Sequence, residues 1–424
     1  MTYKEMPAEQ RSALLKQLRG DYASFQARGL KLDMSRGKPC TEQLDICMGL
    51  LDSSLVTDDV KDSTGFDCRN YGVPFGIPEA RTLFAELLGV CADNVIVFGN
   101  SSLNVMYDLI SQFWTHGVGG GAKPWCQQRA VKFLCPVPGY DRHFGILEHF
   151  GIEMVHVPMT AEGPDVKVLA ELVADPAVKG MFCVPKYSNP TGITFSDENL
   201  RAIAALTPAA NDFRVIWDNA YCVHDVREKG ESLLSILAEA EKFGHEDFFI
   251  EVVSTSKISF AGAGISAIAA SKATIAAVKA RVGMQTIGHD KLNQLRHVRY
   301  FKDKAGVLAH MQKHRDILEP KFDAVLECLE RNLGGLGIAE WTNPAGGYFI
   351  SMDVPKNCAK RVGELCKDAG VVLTPPGATY PKGIDPNDNN IRIAPTFPPN
   401  DELDTAAELL CLCTKIAALE KLEA

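Results

Sequence analysis

The sequence predicts an α/β protein with one large, mainly parallel sheet flanked by helices and a second, smaller domain. From about residue 95 to 270, short apolar runs alternate with loops containing Gly, Pro, Ser or Asn and with helical patterns. This alternation builds a parallel sheet with helices on both faces. Most of the runs are continuously apolar, as expected for strands that are covered on both faces. The seven predicted strands are NVIVFG, VKFLCP, EMVHVP, GMFCVP, RVIWDN, IEVVST and SAIAAS.

The chain is long enough for two domains, because its 424 residues exceed what one hydrophobic core usually serves. Residues 1–60 read as a helix followed by an irregular segment, and residues 315–424 mix helices with strands such as GGYFISMD and NIRIAPTF. We expect these two ends to form the small α+β domain together, and residues 61–314 to form the large domain. A long helix at about 301–332 is expected to connect the two.

The composition argues against several classes of protein. A formal net charge of -9 and a pI near 5.6 disfavour a nucleic-acid partner, which requires clustered Lys and Arg. The N-terminal segment MTYKEMPAEQRSALLKQLRG lacks the apolar core of a signal peptide, and no apolar run is long enough to span a membrane. We therefore expect a cytoplasmic protein that acts on small molecules, without a membrane segment.

The thirteen cysteines are scattered singly, mostly in apolar segments, which is typical of reduced, buried thiols. Cys411 and Cys413, the nearest pair, are separated by one residue on a predicted helix. Zinc sites use wider spacings than this. The sequence therefore predicts no metal site.

Polar segments follow three of the predicted strands. The segment SNPTG at 188–192 follows GMFCVP, DNAY at 218–221 overlaps the end of RVIWDN, and STSK at 254–257 follows IEVV. In open parallel sheets, ligands bind beyond the carboxyl ends of the strands. Each segment alone has an ordinary interpretation as a turn, a helix cap or a surface charge, but their order and spacing together are far more specific.

In this order, the segments resemble those of the fold type I enzymes that depend on pyridoxal 5'-phosphate (PLP), in particular the class I aminotransferases. The resemblance spans nearly the whole chain. RGKP, NYGVPFG, FGNSSL and STSKISFAGAGISA look like the aspartate aminotransferase subgroup Ic, also described as a MocR-type aminotransferase domain. The other matching segments are NYGVPFGIPEAR, GNSS, PVPGY, SNPTG, DNAY and IRIAPTF.

The resemblance implies the PLP-dependent transferase fold of type I and a ping-pong transamination. An L-amino acid, with aspartate or glutamate expected first, would donate its amino group, and a 2-oxo acid such as 2-oxoglutarate or oxaloacetate would receive it. Other PLP chemistry stays open, including aromatic, alanine or 2-aminoadipate transfer and β-elimination by a lyase. A PLP-sensing regulator is disfavoured, because the matching block starts near residue 30 and leaves little room for a DNA-binding module.

The resemblance assigns the catalytic roles to Lys257, Asp218 and Tyr221. Lys257 would bind the cofactor covalently and later carry the proton between the substrate Cα and the cofactor. Asp218 would face the pyridine nitrogen and favour its protonated form. Tyr221 and Asn189 would donate hydrogen bonds to the phenolic oxygen of the ring.

The cofactor phosphate is expected at the start of the helical pattern SSLNVMYDLISQF. Ser101 and Ser102 would stand at the N-terminus of this helix, where free backbone N–H groups and the helix dipole attract an anion. Ser254 and Ser256 would add hydroxyl donors. Many relatives carry an arginine about eight residues beyond the lysine, but here that stretch reads KISFAGAGI, without a basic residue.

Two tyrosines complete the expected cofactor site. Tyr140 stands where the family places an aromatic ring stacked on the pyridine. Tyr71 matches the family tyrosine that reaches the phosphate of the neighbouring subunit, so the resemblance implies a homodimer with shared sites.

Arg392 interrupts the apolar run NIRIAPTF and is expected to bind the substrate α-carboxylate, because a buried guanidinium requires an anionic partner. A structural ion pair is the alternative. Asn189 and Gly37 are assigned to the same substrate site.

Arg281 is the first candidate for the distal carboxylate of a dicarboxylic substrate, and it is expected to act across a dimer. Its rivals are Arg36, Lys38 and Arg142; Arg36 and Lys38 are also candidates for balancing the phosphate charge.

Overall fold

The structure is a computed structural model and describes residues 2–423. Its α-helices are α1 (Ala8–Ala27), α2 (Thr41–Asp45), α3 (Ser54–Thr57), α4 (Pro78–Leu88), α5 (Ser102–His116), α6 (Asp141–His149), α7 (Val166–Leu172), α8 (Asp197–Ala204), α9 (Ile236–Glu241), α10 (Lys272–Gln285), α11 (Lys291–Phe301), α12 (Lys304–Leu333), α13 (Ala359–Asp368) and α14 (Asn400–Glu423). Its strands are β1 (Leu32–Asp33), β2 (Val95–Phe98), β3 (Lys132–Val137), β4 (Glu153–Thr160), β5 (Gly163–Pro164), β6 (Val178–Cys183), β7 (Arg214–Asp218), β8 (Phe249–Ser254), β9 (Ser266–Ala270), β10 (Glu340–Trp341), β11 (Ile350–Asp353), β12 (Val371–Val372) and β13 (Asn390–Ile393).

The large sheet has the order β2-β9-β8-β7-β6-β3-β4-β5. Strands β8, β7, β6, β3 and β4 run parallel, and β9 is antiparallel to both of its neighbours. All seven predicted strands are present, so the prediction of a large, mainly parallel sheet is confirmed. The eighth strand, β5, was not predicted, because a two-residue antiparallel pair has no hydrophobic pattern to read.

Apolar side chains on both faces of the sheet form its two core clusters. One cluster contains Val215 and Trp217 from β7, and the other contains Ile216 from the same strand. Helix α5 packs Met106 and Ile110 into the second cluster. Successive residues of a strand point to opposite faces, so a strand buried on both faces is mainly apolar.

A third core cluster joins the two ends of the chain. Leu15 and Leu18 of α1 pack there with α13 and α14, and the small sheet β10-β11-β13 contributes Ile350 and Ile393. Helix α12 passes from one core to another: Met311 packs with the large sheet and Phe322 with the third cluster. This is the connecting helix expected at about 301–332.

The division into domains at residues 60 and 314 stays a prediction. Cys47 and Leu50 lie in the cluster beneath the large sheet rather than in the cluster of the chain ends. Their packing favours a first boundary nearer residue 40. Within residues 2–423, the structure has no helix that is long and apolar enough to cross a membrane.

Buried histidines make the stability of this fold sensitive to acid. Burial lowers the pKa of His297, His310 and His314 to about 4, from an ordinary value of 6.5. Because the unfolded chain binds these protons more readily, each histidine contributes stability above about pH 6.5 that is lost as the pH falls toward 4. The loss amounts to roughly 3 kcal/mol for His297 across that window.

We therefore expect the free energy of unfolding in urea to fall between about pH 7 and about pH 5, above the range in which most carboxylates titrate. Replacing His297 with Phe should reduce this slope, whereas replacing the exposed His116 with Asn should leave it unchanged. A stability that stays constant over this range would contradict the prediction.

Candidate active site

A cavity of about 400 Å³ opens at the carboxyl ends of the parallel strands and brings most of the predicted site residues together. Strands β6, β7 and β8 are neighbours in the sheet, so the segments that follow them meet at one edge. Loop residues from the N-terminal segment and from the small sheet close the other side. The lining residues are Ser35, Arg36, Gly37, Ser102, Leu103, Met106, Tyr140, Asp141, Arg142, Val184, Asn189, Asp218, Ala220, Tyr221, Lys257, Phe349 and Arg392.

Lys257 lies in the turn that follows β8, three residues beyond the last residue of the strand, and its side chain points between two aromatic rings. Its Nζ is 5.0 Å from the centre of the Tyr221 ring and 5.8 Å from that of Tyr348. Burial lowers the pKa of Lys257, while the carboxylate of Asp218 partly opposes the shift. A lowered pKa increases the fraction of neutral amine, which is the nucleophilic form.

Asp218 ends strand β7 and is almost fully buried. His143 of α6 donates a hydrogen bond from Nε2 to its Oδ2 at 3.0 Å, and the imidazole stacks on Phe182 with ring centres 4.4 Å apart. The second oxygen, Oδ1, is buried with no hydrogen-bond partner among the described residues. A buried carboxylate oxygen without a donor is costly, so this atom is ready to accept one from a ligand.

Tyr140 and Tyr221 border the cavity near Asp218. Tyr140 precedes α6, and its ring lies edge-on to His143 at 5.0 Å. Burial raises the pKa of both tyrosines, and the negative charge of Asp218 adds to the shift. Both phenols therefore stay protonated and can donate hydrogen bonds.

The N-terminus of α5 faces the same region. Ser101 is its N-cap residue and makes no side-chain cap, while Ser102 lines the cavity. From the lysine loop, Ser256 Oγ donates to the carbonyl oxygen of Asn100 at 3.3 Å, and Ser254 Oγ donates to Ser256 Oγ at 3.1 Å. The four predicted serines therefore form one group of hydroxyls and free amides at a helix end, where an anion is stabilised.

Arg392 of β13 points into the cavity from the small sheet. Its Nη1 donates to Asn189 Oδ1 at 3.1 Å and to Asp141 Oδ1 at 3.2 Å, and its Nε donates to Thr374 Oγ1 at 3.2 Å. The guanidinium lies over the Phe349 ring, 4.7 Å from its centre. The three hydrogen bonds and the ring contact restrict the guanidinium to one orientation toward the cavity.

Gly37 lies against the Phe349 ring that supports Arg392. A Cβ atom at residue 37 would stand 2.2 Å from Phe349 Cζ. Any side chain there would displace the ring, and the guanidinium with it. The close approach of the N-terminal segment therefore requires glycine at this position.

The structure does not bring Arg281 or Tyr71 to this cavity. Arg281 lies on α10 with its Nη1 3.2 Å from Nδ1 of His116, away from the lining residues of its own chain. Tyr71 is 79% exposed. Both assignments depended on a partner subunit and stay predictions.

Among the rival cations, Arg36 and Arg142 line the cavity, with side chains that are 70% and 68% exposed. Their carboxylate partners are distant, at 3.9 Å from Arg36 Nε to Asp33 and 4.0 Å from Arg142 Nε to Asp141. Lys38 instead lies over the Phe397 ring, with Nζ 3.8 Å from its centre. Arg36 and Arg142 are therefore better placed than Arg281 or Lys38 to meet a ligand of this chain.

Sequence reasoning missed several side chains of the site, namely His143, Tyr348, Phe349 and Asp141. His143 follows the predicted Tyr140 by three residues, and one helical turn could have indicated that both face the cavity. Tyr348 and Phe349 come from the distant segment GGYFISMD, and nothing in its pattern points to Lys257 or Arg392.

Comparisons with known proteins agree with this geometry. A family model described as "Aspartate amino-transferase" matches residues 6–424. The chain belongs to the aspartate aminotransferase family. An aspartate aminotransferase of Corynebacterium glutamicum is 43% identical over 420 residues, covering 99% of this chain and 97% of the relative.

Two solved structures share this fold. The crystal structure of an aspartate transaminase from Corynebacterium glutamicum superimposes with a TM-score of 0.97 at 43% identity, covering 99% of both chains. An α-aminoadipate aminotransferase from Thermus thermophilus, complexed with N-(5'-phosphopyridoxyl)-L-leucine, has a TM-score of 0.74 at 19% identity and covers 94% of this chain and 95% of its own. The predicted fold of PLP type I and the predicted enzyme class, an aminotransferase, are confirmed; the assignment to subgroup Ic stays a prediction.

Proposed function

We propose that the protein is a PLP-dependent aminotransferase that transfers the amino group of aspartate or glutamate to a 2-oxo acid. The observation that carries this proposal is one cavity that combines the amine of Lys257, the unpartnered carboxylate oxygen of Asp218 and the guanidinium of Arg392. A relative that is 43% identical over nearly the whole chain carries the name aspartate aminotransferase, which supports the choice of substrate.

The residues of the cavity fit PLP. The unpartnered Oδ1 of Asp218 would accept a hydrogen bond from a pyridinium nitrogen, and the N-terminus of α5 with its four serines would hold the phosphate. Tyr221 and Asn189 would hold the phenolic oxygen. When bound, PLP supplies a ring that accepts the electrons released at the substrate Cα.

Lys257 would carry out the proton transfer. Its amine would hold the cofactor in the resting enzyme and would be free once a substrate is bound. The lowered pKa of Lys257 then leaves a neutral amine that can take the proton from the substrate Cα. His143 acts through Asp218, because its hydrogen bond orients the carboxylate and offsets its burial.

Arg392 would orient the substrate through its α-carboxylate. In the structure, Asp141 and Asn189 occupy its Nη1. A substrate carboxylate would replace the partly exposed Asp141 as the anionic partner, while Asn189 stays in place. This exchange holds the Cα–H bond toward Lys257 and costs little, since one charge-assisted pair replaces another.

We further propose a cytoplasmic homodimer in which Tyr71 reaches the site of the partner subunit. The exposure of Tyr71 and of Ile287, in a segment whose backbone pairs with Gly72, supports an interface on this surface. All thirteen cysteines are free, which agrees with a reducing compartment.

The test follows the absorbance of the PLP-loaded protein after mixing with one amino acid at a time. We expect rapid conversion to the pyridoxamine form by aspartate and glutamate, and slow conversion by alanine and phenylalanine. Conversion by the neutral donors alone would contradict the proposed substrate, and no conversion by any donor would contradict transamination.

The same assay identifies the residue that binds the distal carboxylate. We expect either Arg142→Gln or Arg36→Gln to slow conversion by aspartate roughly 10- to 100-fold, because a hydrogen bond to a charged group contributes about 1.5–3 kcal/mol. Conversion by alanine should stay unchanged, since alanine has no distal carboxylate. If neither variant changes the preference for acidic donors, the cation comes from the partner subunit, and Arg281→Gln is the next variant to compare.

A further inference from the structure

A group of buried polar side chains lies directly behind Lys257. Cys47, His310 and His314 place their Sγ and Nε2 atoms within 4.8 Å of one another. They surround the carbonyl oxygen of Ile258, the residue that follows Lys257. His310 Nε2 is 3.1 Å from this oxygen, His314 Nε2 is 3.2 Å from it, and Cys47 Sγ is 3.5 Å from it.

The hydrogen bonds of Gln43 fix the proton of His314. The backbone N–H of Cys40 donates to Gln43 Oε1 at 3.2 Å, so the amide oxygen faces Cys40. The amide nitrogen therefore faces His314 Nδ1 at 2.9 Å and donates to it. A neutral imidazole that accepts at Nδ1 carries its proton on Nε2, where the Ile258 oxygen and His310 Nε2 both lie at 3.2 Å and can accept it.

His310 has the same orientation toward this oxygen. Its Nε2 lies 3.1 Å from the Ile258 oxygen, 3.2 Å from His314 Nε2 and 3.4 Å from Cys47 Sγ, and it donates to the carbonyl in the tautomer that carries the proton on Nε2. The spacing of the group resembles a metal site, but a metal ligand must present a lone pair. With its proton on Nε2, His314 presents no lone pair to this group, so the hydrogen bond from Gln43 opposes a metal site made of all three side chains.

The Ile258 carbonyl depends on these side chains. Among residues 2–423, no backbone N–H donates to it outside the regular helices and strands, and the segment of Lys257 lies in a turn. Gln43 Nε2 also donates to Tyr348 Oη at 3.0 Å, and the Tyr348 ring borders the amine of Lys257. Helices α2 and α12 therefore contact both the backbone after Lys257 and the ring beside its amine.

We propose that His314, together with His310, is a positioning residue that holds the peptide between Lys257 and Ser259 and so directs the Lys257 amine. The proposal rests on the proposed function, in which Lys257 binds PLP. Gln43 links the same histidine to Tyr348, so its hydrogen bonds transmit the position of α2 to the lysine.

Two variants of one residue separate this role from simple packing. In His314→Gln, the side-chain amide nitrogen can reach the place of Nε2 and donate to the Ile258 oxygen. In His314→Asn, the shorter side chain can replace only Nδ1, so Gln43 keeps a partner and the Ile258 oxygen loses its donor. Gln therefore loses the contact with Gln43, and Asn loses the contact with the Ile258 oxygen. Each variant is the control for the other.

The readouts are the pH midpoint of the cofactor's visible absorbance, the rate of pyridoxamine formation, the melting temperature, and hydrogen exchange in residues 254–262. We expect Asn to shift the absorbance midpoint, to speed exchange in that segment and to slow the reaction roughly 10- to 100-fold, because small misplacements of a reacting group have effects of this size. His314→Gln should stay near wild type in absorbance midpoint, exchange and reaction rate, although both variants should have a lower melting temperature.

Equal behaviour of the two variants, with rates that follow the melting temperature, would overturn the proposal. One equivalent of zinc in the purified wild type, lost in both variants, would replace it with a metal site. Failure of the proposed function is recognised separately, as a wild-type protein whose Lys257 forms no coloured adduct with PLP. The exchange measurement on segment 254–262 tests the carbonyl contact in that case too.

Discussion

Replacing Lys257 with Ala is expected to abolish the visible absorbance of the bound cofactor and to slow transamination at least about 1,000-fold, since positioned proton transfer alone contributes roughly 10²- to 10⁴-fold. The fold should be retained, because the amine ends in a cavity and forms no hydrogen bond within the described chain. Removing a buried lysine with a lowered pKa should leave the melting temperature of the cofactor-free protein unchanged or slightly raised. The measurements are an absorbance spectrum with PLP, a single-turnover rate and a melting curve.

Lys257→Arg is the matched control. It keeps the positive charge beside Asp218 but supplies no neutral amine, because arginine stays protonated. We expect it to lose activity as Ala does, which would assign the effect to the chemistry of the amine and not to its charge. The exposed Lys313→Ala should behave as wild type. Transamination that persists in both Lys257 variants would refute the assignment of this residue.

Replacing Arg392 with Leu is the second change with a large expected effect. The efficiency of the reaction with aspartate should fall about 30-fold to several thousand-fold, because removing one member of a buried, hydrogen-bonded charge pair costs about 2–5 kcal/mol. The loss should appear mainly in the KM, with the visible absorbance of the bound cofactor retained. Without the guanidinium, Asp141 also loses its partner at 3.2 Å.

Arg392→Lys tests how the guanidinium acts. A lysine keeps the charge but cannot form two parallel hydrogen bonds to a carboxylate, so we expect Arg392→Lys to recover part of the efficiency that Arg392→Leu loses.

Arg361→Leu, which removes a surface ion pair with Glu420, should leave the kinetics unchanged. An amine that lacks the α-carboxylate should react equally poorly with wild type and Arg392→Leu. If it reacts well with wild type, Arg392 has another role.

The large sheet could be predicted almost completely from the sequence. A strand covered on both faces is mainly apolar, and GMFC in β6 and VIW in β7 carry that pattern in the printed residues. The packing of Cys47 and Leu50 beneath the sheet could not be predicted, because their short helical segments carry no pattern that distinguishes one core from another.

The candidate site also contains residues that the sequence predicts and residues that it does not. Asp218, Lys257 and Asn189 follow strands, so their positions at one edge of the sheet follow from the rule for parallel sheets. Arg36 and Arg142 could not be separated from Arg281 and Lys38 by sequence, because which cation lines the cavity depends on how distant loops pack.

By itself, the sequence determined the order of the strands along the chain, the polar segments after them and the lysine that lines the cavity. Only the tertiary structure decided that His143 supports Asp218, that Gly37 leaves room for Phe349, and that His310 and His314 meet the carbonyl after Lys257. The physical reason is the separation of the residues along the chain. Periodicity and turn residues report on neighbours in sequence, whereas these contacts join residues from separate segments that only packing brings together.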